Sequence, residues 1–205
     1  MITRDKNGNY RRELRDRVLA VAMPMFKKRG VKSVRMDEIS SALSISKRTL
    51  YEIFDSKEAL ILEGIKRNKE RTEVRLAEYA ASGANEMEIL IEFLRTQMND
   101  LQNVSPEYFA DIDCYPRVME YLHVKSARHR ARSMEFTRRG IEHGYFISNI
   151  NYDIFTIVCD VMMEQVMKLR MYEKYPMREI MHTLVSLLLR GCCTEKGRKM
   201  FDDVI

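Results

Sequence analysis

Apolar residues recur every three to four positions along nearly the whole chain, the spacing of one face of an α-helix. The first such run covers about 11–29, with Leu14, Val18, Val21, Ala22, Met25 and Phe26 on one side and Gly30 as its natural stop. Pro24 lies inside it and removes the hydrogen bond to Ala20, which predicts a kink or shift there. Two short runs follow, over 36–43 and 46–53, with room between them only for a tight turn. Asp55 then starts a long helix to about Tyr79, with Glu58 at the capping-box position. Beyond Gly83 the spacing predicts helices over 87–101, from Ser105-Pro106 onward, over 116–143, from Asn151 or Tyr152 to Tyr172, and over 176–192. No repeat or low-complexity stretch appears. The expectation is an all-α chain of about nine helices, a three-helix head over 1–56 and a larger helical bundle over 57–205.

Composition supports this and adds a charge asymmetry. The 205 residues include only 8 Gly and 4 Pro but 15 Met, too little punctuation for a strand-rich fold. The first 75 residues hold 19 basic and 11 acidic side chains, and the other 130 hold 16 and 19. A basic third on a mildly acidic remainder points to an anionic partner for the head. The polar start argues against a secretory signal. The most apolar run, 184–189, is far shorter than the ~30 Å core of a bilayer demands. A cytoplasmic protein without a membrane partner is therefore expected. Cys114, Cys159, Cys192 and Cys193 have no framework spacing and read as small buried hydrophobes in a reducing compartment.

Two short helices joined by a tight turn and backed by a third form a helix-turn-helix signature. Ile39, Leu43, Ile45, Leu50 and Phe54 are spaced to bury against Val21, Met25 and Phe26. That burial leaves Lys47, Arg48, Thr49, Tyr51 and Glu52 exposed on the second short helix. Cations there can address guanine acceptors or phosphates, and hydroxyls can donate to phosphate oxygens. Lys57, at the start of the next helix, adds a cation beside free backbone N–H groups. A basic run alone is usually a solvated face; its place on the second helix of a tight turn favours DNA.

The stretch from Ser46 to Leu60, SKRTLYEIFDSKEAL, resembles the recognition-helix signature of the TetR/AcrR family of bacterial regulators, and Phe26, Gly30 and Ile39 match that family's usual residues. The specific likeness covers about 18–60. It implies a homodimeric all-α repressor, not an enzyme and without a cofactor. The head would bind double-stranded operator DNA and the body a small-molecule inducer. By the same resemblance Ser46, Lys47, Arg48, Thr49, Tyr51 and Lys57 are the expected DNA contacts. Arg35 stands where the family commonly has a Ser or Thr cap; Arg cannot cap an N-terminus but can reach a phosphate. Ser44 replaces the usual turn Gly, and Arg48 a common small residue.

In the body, the helices over 151–172 and 176–192 are apolar on two faces, which calls for two partners. A second subunit is the simplest, with Ile157, Val161, Leu184 and Leu188 at the interface. Candidate ligand contacts are Phe93, Met98, Met119 and Tyr121, on helices flanking the long one, though core packing explains them equally well. Arg128, Arg130 and Arg132 read as a solvated face paired with Glu135. His123, His129, His143 and His182 lack metal-ligand spacing, and no nucleophile–base pair stands out. The rival readings are a DNA-binding regulator controlled by a protein partner, and a helical ligand-binding protein or enzyme with an incidental basic head.

Overall fold

A computed structural model describes residues 3–202, with side chains for 9–122 and 133–202. The described residues form ten α-helices: α1 Thr3–Arg29, α2 Met36–Ala42, α3 Lys47–Ile53, α4 Lys57–Ala81, α5 Glu86–Asp100, α6 Pro106–Ile112, α7 Pro116–Glu142, α8 Tyr152–Lys168, α9 Met177–Cys192 and α10 Glu195–Asp202. A single 3₁₀ turn, Met171–Glu173, lies between α8 and α9. Arg128, Arg130, Arg132, His123 and His129 lie outside the described side chains. The chain divides into two compact units, Met1–Asn68 with Asn103–Tyr121 and Lys69–Gln102 with Leu122–Ile205. Both α4 and α7 contribute residues to each unit.

The first unit is built on α1, which starts earlier than expected, at Thr3, and continues through Pro24 to the expected end at Arg29. Val18, Ala22 and Phe26 are fully buried with Val31, Val34, Ile39, Leu50, Leu60 and Ile61. Val21, Met25 and Ile45, expected in that core, are only half-buried, while Leu19 is inside. Gly30 terminates α1 with φ +79°. A Cβ there would sit 2.7 Å from the Cβ of Glu107, so backbone conformation and the close approach of α6 both require glycine. The buried Asp111 of α6 accepts the backbone N–H of Lys32 at 2.7 Å, and Ser105 donates its N–H to the carbonyl of Lys27 at 2.8 Å. α6 thereby satisfies the polar backbone around the end of α1.

The long helix begins two residues later than its pattern suggests. Ser56 is its cap, accepting the N–H of Ala59 at 3.1 Å. Glu58 is not in a capping box: its carboxylate accepts the N–H of Arg117 at 2.9 Å and serves the first turn of α7, behind Pro116.

The second unit has its core in Met87, Ile91, Leu94, Tyr145, Phe146, Val185, Cys193 and Phe201. Phe146 and Cys193 form an isolated antiparallel bridge, flanked by bonds from Ile147 N to Cys192 O (3.0 Å) and from Thr194 N to Tyr145 O (2.9 Å). α10 was not visible as periodicity, because its eight residues are mostly charged. Its cap is Thr194, whose hydroxyl accepts the N–H of Gly197 at 3.2 Å, and its anchor is the buried Phe201. Asn151 caps α8 through the N–H groups of Asp153 and Ile154. The helix stops at Lys168, because Arg170 adopts a left-handed conformation (φ +51°). Cys192 and Cys193 are buried and Cys159 half-buried, but Cys114 is exposed, so it is not the core residue its composition suggested. Burial pushes the Cys192 thiol up to about 11, which keeps it protonated and unreactive near neutral pH.

Candidate nucleic-acid interface

The turn between α2 and α3 closes with Ser44 N bonded to Ser41 O (3.1 Å) and Ile45 N to Ser40 O (3.0 Å). That pair of bonds places Ser44 in the left-handed region, at φ +53°, where glycine is unstrained and serine is not. α3 follows at once. Ser46 caps it, its Oγ accepting from Thr49 N at 3.0 Å and lying 2.8 Å from Thr49 Oγ1. Leu50 is fully buried and roots the helix in the head, with Phe54 buried just beyond it. With Leu50 inward, Lys47, Arg48, Tyr51 and Glu52 are exposed, and Thr49 is half-buried.

Arg48 has 89% of its side chain exposed, and its Nε lies 3.0 Å from Glu52 Oε1. Lys47 Nζ lies 2.8 Å from Asp37 Oδ1, a carboxylate in the first turn of α2. The pair with Asp37 raises the Lys47 ammonium above its ordinary value, so this cation stays charged at any physiological pH. Arg35 is exposed at the N-cap of α2 without capping by its side chain. The cap is completed from the other direction: the Glu38 carboxylate accepts the N–H of Arg35 at 3.0 Å and pairs with Arg29 at 2.8 Å. These bonds, first from Arg29 and then from Arg35, hold the Glu38 carboxyl below its usual range.

Lys57 differs from the other expected contacts. Its Nζ donates to the carbonyl oxygen of Val31 at 3.0 Å, and partial burial lowers its ammonium from the ordinary lysine value. Ser46, Lys47, Arg48, Thr49 and Tyr51 are brought together on and beside α3. Asp37 and Glu38 were not singled out from sequence; their signal is their place in the first turn of α2, within reach of the basic residues around them.

The expected ligand contacts are divided by the fold. Met98 packs on the core of the second unit, and Phe93 is exposed on the same helix. Met119 and Tyr121 belong to the first unit, where Lys66 Nζ lies 5.2 Å from the Tyr121 ring centre. None of the four lines the cavity of about 460 Å³ that opens among α8, the 3₁₀ turn and α9, bordered by Val161, Val166, Met171, Tyr175, Ile180 and Leu184. Of the expected interface residues, Ile157 and Val161 are exposed and Leu184 and Leu188 half-buried. Among the described residues no group of three His, Cys, Asp or Glu could hold a metal ion, and no helix is long and apolar enough to cross a membrane.

Residues 18–63 match the family model of the bacterial regulatory proteins, tetR family. No curated protein matches the chain. Among solved structures, a protein from Saccharomonospora viridis in complex with choline is 20% identical, with a TM-score of 0.66 over 89% of this chain and 99% of that one. The TetR family protein CprB from S. coelicolor A3(2) is 16% identical, with a TM-score of 0.64 over 95% and 96%. A TetR transcriptional regulator from Chloroflexus aurantiacus J-10-FL is 19% identical, with a TM-score of 0.62 over 90% and 98%. At these identities the structural likeness speaks for the fold, and the match over 18–63 speaks for the head. Residues 18–63 thus carry the DNA-binding head of the bacterial regulatory proteins of the tetR family, and the chain as a whole shares the fold of these solved structures.

Proposed function

We propose that this regulator is a homodimeric repressor that binds a pseudo-palindromic operator through α3 and is released by a small molecule held in its body. The observation that carries the DNA contact is the construction of α3. Seven residues, capped by Ser46 and rooted by Leu50, present Lys47, Arg48 and Tyr51 to solvent. Such a helix fits the major groove, where cations reach guanine acceptors and hydroxyls reach phosphates. Arg35 and Lys57 flank it as expected phosphate contacts.

The dimer reading is supported by α8, where Ile154, Ile157, Val158 and Val161 are exposed at helical spacing, and by Leu187 of α9, 68% exposed. An apolar stripe of this kind gains by being covered, and a second copy would cover it symmetrically. Two heads related by that axis would read half-sites one helical turn, or multiples of it, apart. Release by a small molecule draws support from the S. viridis protein, which shares the fold and was solved with choline. α4 contains both Lys57 and residues of the second unit, so a ligand that shifts it acts on the head.

The test begins by selecting duplexes from a random-sequence pool with the full-length protein. On the selected operator, Lys47→Ala or Arg48→Ala should cost about 1–3 kcal/mol and relax one base preference. Tyr51→Phe should weaken all sequences alike. Wild-type affinity for all three variants would overturn the assignment of α3.

A further inference from the structure

We propose that Asp37 and Glu52 set the sequence discrimination of this regulator by occupying its two recognition-helix cations whenever the matching bases are absent. The inference rests on the reading of α3 as the DNA-contacting helix. Lys47 Nζ lies 2.8 and 3.2 Å from the two carboxylate oxygens of Asp37, and Arg48 Nε lies 3.0 Å from Glu52 Oε1. Exposed pairs of this kind add little to folding stability. The side chains of Lys47 and Asp37 are each 59% exposed, and those of Arg48 and Glu52 89% and 52%. Their consequence falls on binding. Asp37 comes from α2 and Lys47 from α3, so one pair joins the two helices of the motif, while the other lies along α3 at i, i+4.

A phosphate offers a partner only to the cation. When Lys47 or Arg48 turns to a phosphate, its carboxylate is left unpaired against a polyanion, and contact with the backbone alone is penalised. A G·C pair in the major groove offers both partners. Guanine O6 and N7 accept from the cation, and the cytosine N4 amine donates to a carboxylate. A pair is then satisfied in both members where two adjacent acceptors are followed by a donor, an order that an A·T pair, whose amine lies between its two acceptors, does not present. Discrimination of this form comes from what is made unfavourable at the wrong site.

The experiment uses the full-length protein, a duplex selected by the wild type from a random pool, and an alternating A·T duplex of equal length as the non-specific probe. Affinities for Asp37→Asn and Glu52→Gln are measured over a range of salt concentrations. Each variant should bind the A·T duplex roughly three- to tenfold more tightly than wild type, with a salt dependence steeper by about one counterion per freed cation. Affinity for the selected duplex should stay level or fall, so the ratio between the two duplexes drops. Asp37→Glu should restore most of that ratio, which a purely structural role for Asp37 would not require. Melting curves identify a variant that fails to fold, and Glu52→Gln, on the solvent face of α3, decides the matter if Asp37→Asn does. An unchanged ratio in a discriminating wild type would overturn this inference and leave the assignment of α3 standing. A wild type that prefers no duplex would overturn both.

Discussion

The ammonium of Lys57 donates to the carbonyl oxygen of Val31 at 3.0 Å, so the cation at the start of α4 also ties that helix to the segment after α1. Removing it should therefore have two separable effects. Lys57→Ala should lower the stability of the protein by about 1–2 kcal/mol through the lost charged hydrogen bond. It should also reduce the salt dependence of DNA binding by about one phosphate. Urea denaturation reads the first effect and affinity against salt concentration the second. An unchanged salt dependence would confine Lys57 to the fold.

Ser44 occupies a left-handed position at the corner of the helix-turn-helix. Ser44→Gly should stabilise the protein by up to about 1 kcal/mol, because relief of the strain slightly exceeds the added freedom of the unfolded chain. Ser44→Val should destabilise it by more than that. The midpoints of chemical denaturation of the two variants should move in opposite directions.

Gly30→Ala meets both a positive φ and a neighbour at 2.7 Å, the Cβ of Glu107. A loss of about 2–4 kcal/mol is expected from the combined conformational and steric cost. Removing the nearest contact, with Glu107→Gly in the same chain, should recover some of the loss and leave the conformational part together with the approach of Asp111 Oδ2 at 3.0 Å.

Glu86 is buried on α5, with Arg139 Nη2 at 2.9 Å and His143 Nδ1 at 2.6 Å. Burial alone would raise its carboxyl, but the bond from His143, then the bond from its own backbone N–H, and the charges of His143 and Arg139 outweigh burial and hold it below the ordinary value. The native state then binds fewer protons than the unfolded chain, so this contribution is fully present above the unfolded carboxyl value of about 4.3. It is lost as pH falls through the lower, folded value. Glu86→Gln should cost about 1–2 kcal/mol at neutral pH, and the difference from wild type should vanish in strong acid. Denaturation at a series of pH values from neutral downward is the check; a constant difference would exclude the linkage.

The exposed position of Ile157 and Val161 makes them cleaner probes of self-association than Leu184 and Leu188, which are half-buried within one chain. Ile157→Glu with Val161→Glu should yield a folded monomer by sedimentation at micromolar concentration, with helical content retained and operator affinity reduced. A stable wild-type monomer would refute the dimer.

The local chemistry of this chain was legible from its residues. Gly30, Ser46, Asn151, Ser105 and Pro106 are strong signals because capping and breaking are decided within a few residues of backbone. The same locality made α3 readable, since the apolar spacing of Leu50 and Phe54 determines which side chains are left outside. Where a charged group has several partners within reach, the pattern is silent. Glu58 satisfied every local criterion for a capping box and instead caps α7, 59 residues away in the chain. α10 went unread for a related reason: Phe201 and the approach of Gly197 to the Tyr145 backbone hold it, and neither shows as a periodic face.

Helix class, the helix-turn-helix, the cations of α3 and the family of the head were therefore determined by the sequence, through short-range rules of periodicity and capping. Tertiary structure alone decided that α6 joins the first unit through Asp111 and Gly30. It also decided that Lys57 is shared with the Val31 carbonyl, and that Lys47 already carries the carboxylate of Asp37 from α2. The physical reason is common to all three. Hydrogen bonds and ion pairs form between groups that meet in space, and a linear pattern records which groups can pair but not which ones the packed backbone brings within 3 Å.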